Sequence, residues 1–153
     1  MEVFSKSFKN GDVIPTIYTC DGENISPHIA WKNFPLETKS FVLIMDNRDK
    51  SSNIFTHWIV YDIPLSVCEL PENFPKHPEV NGIKQGINDR GEIGYFGPCP
   101  PRGDEYHRYT FTVYALKISN LGLPAGVPRS KVEKAIEGFV IAKAQIVGLY
   151  KRH

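Results

Sequence analysis

Two histidines sit in stretches that could do chemistry. His57 lies in "IFTHWIVYDIP" (54–64) and His107 in "GPCPPRGDEYHRYTF" (97–111), each among aromatic and β-branched residues. An imidazole exchanges its proton near neutral pH and both donates and accepts hydrogen bonds. Tyr109 follows His107 by two residues and shares its strand face, because alternate strand residues point the same way. Asp46 ends the apolar run "KSFVLIMD" (39–46) and Asp49 follows it, where a loop should emerge. Each residue also has a plain structural reading: a satisfied core histidine, or an aspartate that closes a turn through its own backbone. Taken together, two imidazoles, a phenol and a carboxylate beside a rigid Gly-Pro segment are the parts of a small oxyanion or phosphate pocket. In partly apolar surroundings each hydrogen bond there counts for more. Both histidines are expected to hold an anion best as imidazolium, when both ring nitrogens donate.

Other chemistries find less support. The chain has no G-x-S-x-G turn, no G-x-x-x-x-G-K loop and no G-x-G-x-x-G fingerprint. H-x-H and H-x-x-x-H spacings are also missing, so a metal site is not expected, and neither is a cofactor. The chain reads as non-enzymatic, with a weak hydrolase using His57 and His107 as an alternative.

The bulk composition narrows the partners. A chain of 153 residues is long enough to bury one sizeable core, and a single domain over 1–153 is expected. With 18 basic and 17 acidic residues the net charge is +1, so no broad field steers nucleic acid or an anionic membrane. A bound anion must be held by a local site. No apolar run approaches the roughly 20 residues of a membrane-spanning helix. The opening "MEVFSKSFKNGDVIPTIYTC" has no apolar signal-peptide core, which points to the cytoplasm. Cys20, Cys68 and Cys99 are odd in number and show no C-x-x-C spacing, so reduced thiols acting as small hydrophobes are expected.

The elements that must position the site are mostly strands. The run 39–46 is continuously apolar, as in a strand covered on both faces. The next strand is 54–64, and simple alternation would put Phe55, His57, Ile59, Tyr61 and Ile63 on one face. Further strands are read at "RYTFTVYALKI" (108–118), with Tyr109, Phe111, Val113 and Ala115 together, and at "KAQIVGLY" (143–150). Between them, 65–104 is rich in Pro and Gly and reads as a long structured loop region. One helix is legible in "SKVEKAIEGFVIAK", with Ser130 and Glu133 spaced as a capping box and an apolar stripe of Val132, Ala135, Ile136, Phe139 and Val140. This pattern gives a mainly β fold, an antiparallel β-sandwich with a few short helices.

Three blocks, "CDGENISPHIAW" (20–31), "THWIVYDIP" (56–64) and "GPCPPRGDEYHRYTFTVYAL" (97–116), carry a resemblance to a known family. In order and content the chain resembles the phosphatidylethanolamine-binding proteins, closest to their prokaryotic, Raf kinase inhibitor-like branch. The resemblance implies a β-sandwich with a small cavity for phosphate-like anions or phospholipid head groups, and a protein that modulates a partner. It assigns His57, His107 and Tyr109 to the ligand, with Gly97 and Pro98 as the loop wall. The prolines would hold that wall before the ligand arrives. The family's D-P-D-A-P motif is replaced here by "MDNRDKS" (45–51). One register puts Asn47 and Asp49 on the two aspartates, and a one-residue slip puts Asp46 at the ligand side. The chain ends at "LYKRH" without the extended helix of the animal members, so the resemblance carries no kinase regulation. It does imply a homodimer. An alternative function, a serine protease as partner, follows from inhibitors within the family, with the rigid segment 71–104 presented to the protease.

Overall fold

The computed structural model describes residues 1–48 and 53–153. Among the described residues nine strands and one α-helix are formed, and the pairs between these strands are antiparallel. A small sheet joins β1 (Glu2–Phe4), β2 (Ile29–Lys32) and β5 (Glu69–Leu70) in the order β1-β2-β5. The large sheet runs β6-β7-β4-β3-β8-β9, from β6 (Glu79–Val80) and β7 (Ile83–Gln85) through β4 (Ile54–Pro64), β3 (Ser40–Arg48) and β8 (His107–Leu116) to β9 (Val140–Tyr150). The mainly β architecture is therefore as the sequence pattern predicts. The long loop region 65–104 is less plain than expected, since β5, β6 and β7 all fall within it.

β3 is central, and its unbroken apolar run has a direct cause. Phe41, Leu43 and Met45 face the main core between the sheets, packed with Trp31, Trp58 and Phe111. Val42 and Ile44 face a second core that includes Ile59, Tyr61 and the helix residues Val132 and Ile136. A strand covered on both faces needs apolar residues at every position.

β4 departs from simple alternation at two places. Phe41 pairs with Ile63 and Leu43 with Val60; Met45 pairs with Trp58 and Asp46 with Thr56. In each interval β4 carries one residue more than β3, the signature of a β-bulge. Asp62 sits in the first bulge with a positive φ of 55°. Ile59 and Tyr61 consequently belong to the second core, whereas Ile63 returns to the main core. The expected face of five residues is split, and Phe55 and His57 lie on the cavity side.

Helix α1 (Arg129–Ile136) starts earlier and ends sooner than the sequence suggests. Pro128 occupies the N-cap with no side-chain cap, so Ser130 lies inside the first turn and the capping box is not formed. Gly138, at φ 79°, turns the chain out of the helix. Phe139 is left exposed and Val140 opens β9, while Val132 and Ile136 alone of the stripe are buried. Each of those two buried side chains stabilises docking by about 1.5–3 kcal/mol.

Cys20 and Cys99 form a disulfide, with only Cys68 free. The expectation of three reduced thiols is overturned, because the fold brings together two residues 79 positions apart, a distance at which sequence spacing is silent. Among the described residues, no helix is long and apolar enough to cross a membrane.

Candidate functional site

Three neighbouring strands present one row of side chains at the end of the large sheet. Asn47 on β3 pairs with Phe55 on β4 and with Tyr109 on β8. His57 flanks the row on β4 and His107 flanks it on β8. β4 and β8 are not adjacent; β3 runs between them, and Asn47 fills the gap. The row forms one wall of a cavity of about 440 Å³. Arg90 and Phe96 from the loops after β7, with Cys99, Pro100, Pro101 and Asp104, complete it.

Tyr109 is 1% exposed, and its ring lies between the imidazoles. It meets His57 edge-on at 5.3 Å and stacks near His107 at 6.4 Å between centroids. Burial pushes the phenol pKa up, so the hydroxyl keeps its proton and stays a donor.

His57 is 4% exposed and clamped on three sides. Phe96 stacks parallel at 5.7 Å, Phe55 approaches to 4.7 Å, and Nδ1 lies 2.6 Å from the Phe96 carbonyl oxygen. A carbonyl only accepts, so Nδ1 carries the proton and donates. Burial lowers the imidazole pKa to about 4; the hydrogen bonds to backbone at Phe96 and Gly97 and the charges of Asp46 and Asp89 oppose this but do not win. His57 is therefore neutral near pH 7. The expectation of an imidazolium at this position is not met, because the aromatic clamp removes the water a charged ring needs.

His107 is held by a different logic. Asp104 Oδ2 accepts from Nε2 at 3.1 Å, and Nδ1 accepts from the Asn47 side-chain amide at 3.1 Å. The orientation of Asn47 leaves its Oδ1 buried and unpartnered. Asn47, not Asp46, lines the cavity. Asp46 faces the opposite side of β3, where Arg129 of α1 donates to it at 2.6 Å and reaches Thr56 at 3.4 Å. The pleat decides this, since consecutive residues of a strand point to opposite faces. Asp49 lies outside the described residues.

Gly97 and Pro98 do not line the cavity; they anchor its loop from behind. Gly97 N–H donates to Asn24 Oδ1 at 2.7 Å, and the Pro98 carbonyl accepts from Cys20 N–H at 3.1 Å. A Cβ at Gly97 would overlap the Tyr18 carbonyl oxygen, so only glycine fits there. The disulfide fastens the next residue to the same segment, and the wall itself falls to Phe96, Cys99, Pro100 and Pro101.

Sequence reasoning missed Arg90, Phe55, Phe96 and Asp104. Arg90 lies over the Phe96 ring at 4.7 Å and pairs with Glu92 at 3.1 Å, so its guanidinium is oriented without a ligand. Its only sequence signal is a lone cation in the turn "NDRG" (88–91). Among the described residues, no group of three or more His, Cys, Asp and Glu side chains could hold a metal ion.

Comparison with known proteins agrees with the fold. The sequence profile named phosphatidylethanolamine-binding protein matches residues 4–151. The UPF0098 protein of Aquifex aeolicus is 62% identical over 152 residues, covering 99% of this chain and 89% of that one. The UPF0098 protein of Methanothermobacter thermautotrophicus is 44% identical and covers 99% of both chains. Among crystal structures, E. coli YbcL, described as a member of the mammalian PEBP family, superposes with a TM-score of 0.90 at 31% identity, covering 99% of this chain and 98% of that one. A PEBP homologue from Chlamydia trachomatis gives 0.87 at 36% identity, over 99% and 97%.

Proposed function

This chain belongs to the phosphatidylethanolamine-binding protein family, and we propose that it is a binding protein whose cavity takes a small phosphate-like anion, free or as the head group of a larger molecule. One observation carries this reading. A guanidinium and a phenol that keeps its proton line the same half-apolar cavity of about 440 Å³, walled by prolines and a disulfide. Arg90 supplies the charge and Tyr109 a neutral donor. The cavity volume falls in the range of small-ligand sites and leaves room for a substituent on the anion. Asp104 at the His107 end offsets part of the positive charge, which favours a ligand with modest charge over a polyanion. A rigid wall lowers the ordering cost of binding.

Binding rather than turnover is favoured by the state of the imidazoles. Among the described residues neither is hydrogen-bonded to a serine, threonine or cysteine that it could activate.

Calorimetric titration with inorganic phosphate tests the reading. Binding should be measurable in the wild type and weakened in Arg90→Ala. His107→Ala removes the ring that holds Asn47 and Asp104 in the wall, so it should weaken binding severalfold, less than Arg90→Ala, while staying folded. Absence of binding, or binding indifferent to both substitutions, contradicts the proposal.

A further inference from the structure

We propose that His57 makes the cavity select an anion that still carries a proton, inorganic phosphate or a protonated phosphate monoester, over anions that carry none, such as sulfate. This rests on the reading of the cavity as an anion site and adds the protonation state of its ligand.

His57 Nδ1 donates to the Phe96 carbonyl at 2.6 Å. That contact spends the ring's one proton on the backbone. The nitrogen left for a ligand, Nε2, makes no side-chain hydrogen bond among the described residues and offers only a lone pair, the ring's proton being held by the backbone at Phe96 and Gly97. A fully ionised oxyanion would bring its own lone pairs against it, two acceptors facing each other with no proton between. A ligand with a P–OH group can donate that proton to Nε2 while its other oxygens accept from Tyr109 and Arg90. An acceptor beside a guanidinium suits an anion that also donates.

His57 cannot readily take a proton to escape this conflict. It is stacked on Phe96 and edge-on to Tyr109, and burial holds its pKa at about 4. The charged and titratable groups around it are Asp46 from β3, Asp89 and Arg90 from the loop after β7, and Asp104, His107 and Tyr109 at and before the start of β8. The carboxylates of Asp46 and Asp89 favour the charged ring, yet desolvation outweighs them.

The test is calorimetric titration of the whole protein at pH 7 and constant ionic strength with sodium phosphate, sodium sulfate and sodium dimethyl phosphate. Phosphate should bind roughly tenfold to a hundredfold more tightly than the other two, the cost of leaving a buried polar group without its partner. Equal affinity for phosphate and sulfate, or for phosphate and dimethyl phosphate, overturns the proposal and leaves the anion site standing. No binding of any of the three overturns both. In His57→Gln the side-chain amide can turn its NH2 to the ligand, so the preference should collapse toward unity; a preference kept in full contradicts the role of His57. Should that variant not fold, sulfate binding by the wild type supplies the same information. Sulfate stays ionised as the pH falls from 7 toward 4, whereas His57 gains a donor at Nε2, so sulfate affinity should climb. A flat sulfate affinity over that range overturns the proposal.

Discussion

Asn47 donates its side-chain amide to His107 Nδ1 at 3.1 Å from the strand that separates the two histidines. Because Asp104 accepts from Nε2 of the same ring, His107 is fixed at both nitrogens. Replacing Asn47 by Ala frees the ring to turn and should weaken phosphate binding severalfold. One neutral hydrogen bond contributes about 1 kcal/mol, so global stability should fall by no more than that. Calorimetry and urea unfolding on the one variant separate the two effects; unchanged affinity would remove Asn47 from the site.

The neighbouring residue behaves in the opposite way. Asp46 and Arg129 pair at 2.6 Å with both side chains largely buried, tying α1 to the back of β3. Arg129→Ala leaves Asp46 as an uncompensated charge and should cost roughly 3–5 kcal/mol of stability. Phosphate affinity of the folded variant should match the wild type, since the pair lies on the far face of the sheet. A large loss of affinity at intact stability would place Asp46 in ligand binding after all.

His57 predicts a specific acid sensitivity. Its pKa is lower folded, at about 4, than the ordinary 6.5 of an exposed imidazole. Between these values the unfolded chain binds a proton that the folded chain refuses, so stability falls as the pH drops from 6.5 toward 4 and rises again with pH. The loss attributable to this one ring is about 3 kcal/mol at the low end. Carboxylates also titrate in that window, so the useful quantity is the difference between wild type and His57→Gln in urea unfolding at several pH values. The wild type should show the steeper decline; parallel curves would mean that His57 is not held neutral.

The Cys20–Cys99 bond closes a loop of 79 residues. On the loop-entropy account, removing it costs about 4.5 kcal/mol of stability. Unfolding midpoints with and without reductant, and for Cys99→Ser, give the comparison. Because Cys99 lines the cavity, the same change should also weaken phosphate binding by loosening the proline wall. No shift in midpoint on verified reduction contradicts this account of the bond.

The strands that carry the site were legible because their composition is governed by burial. β4 matches the run 54–64 residue for residue, and β3 starts one residue later and ends two residues later than the run 39–46. The two bulges of β4 were not legible, since an extra residue leaves the apolar content unchanged and moves only the facing. Of the cavity, His57, His107 and Tyr109 stood out as polar groups on apolar strands. Arg90, Phe96 and Asp104 come from segments with no period to read, and only the tertiary fold brings them together. The disulfide was hidden for the same reason. Pro128 pre-empted the expected cap of α1 by supplying an extended residue one step before the helix.

The central claim is that the cavity between His57, His107 and Arg90 is where a phosphate-like anion binds. Its most direct test is a two-dimensional NMR titration of isotopically labelled protein with inorganic phosphate. The account predicts saturable shifts centred on Arg90, Phe96, Asn47 and Tyr109 and on the two imidazoles, with Asp46, Arg129 and α1 unmoved. Saturable shifts confined to another surface, or no shifts at millimolar phosphate, would contradict it.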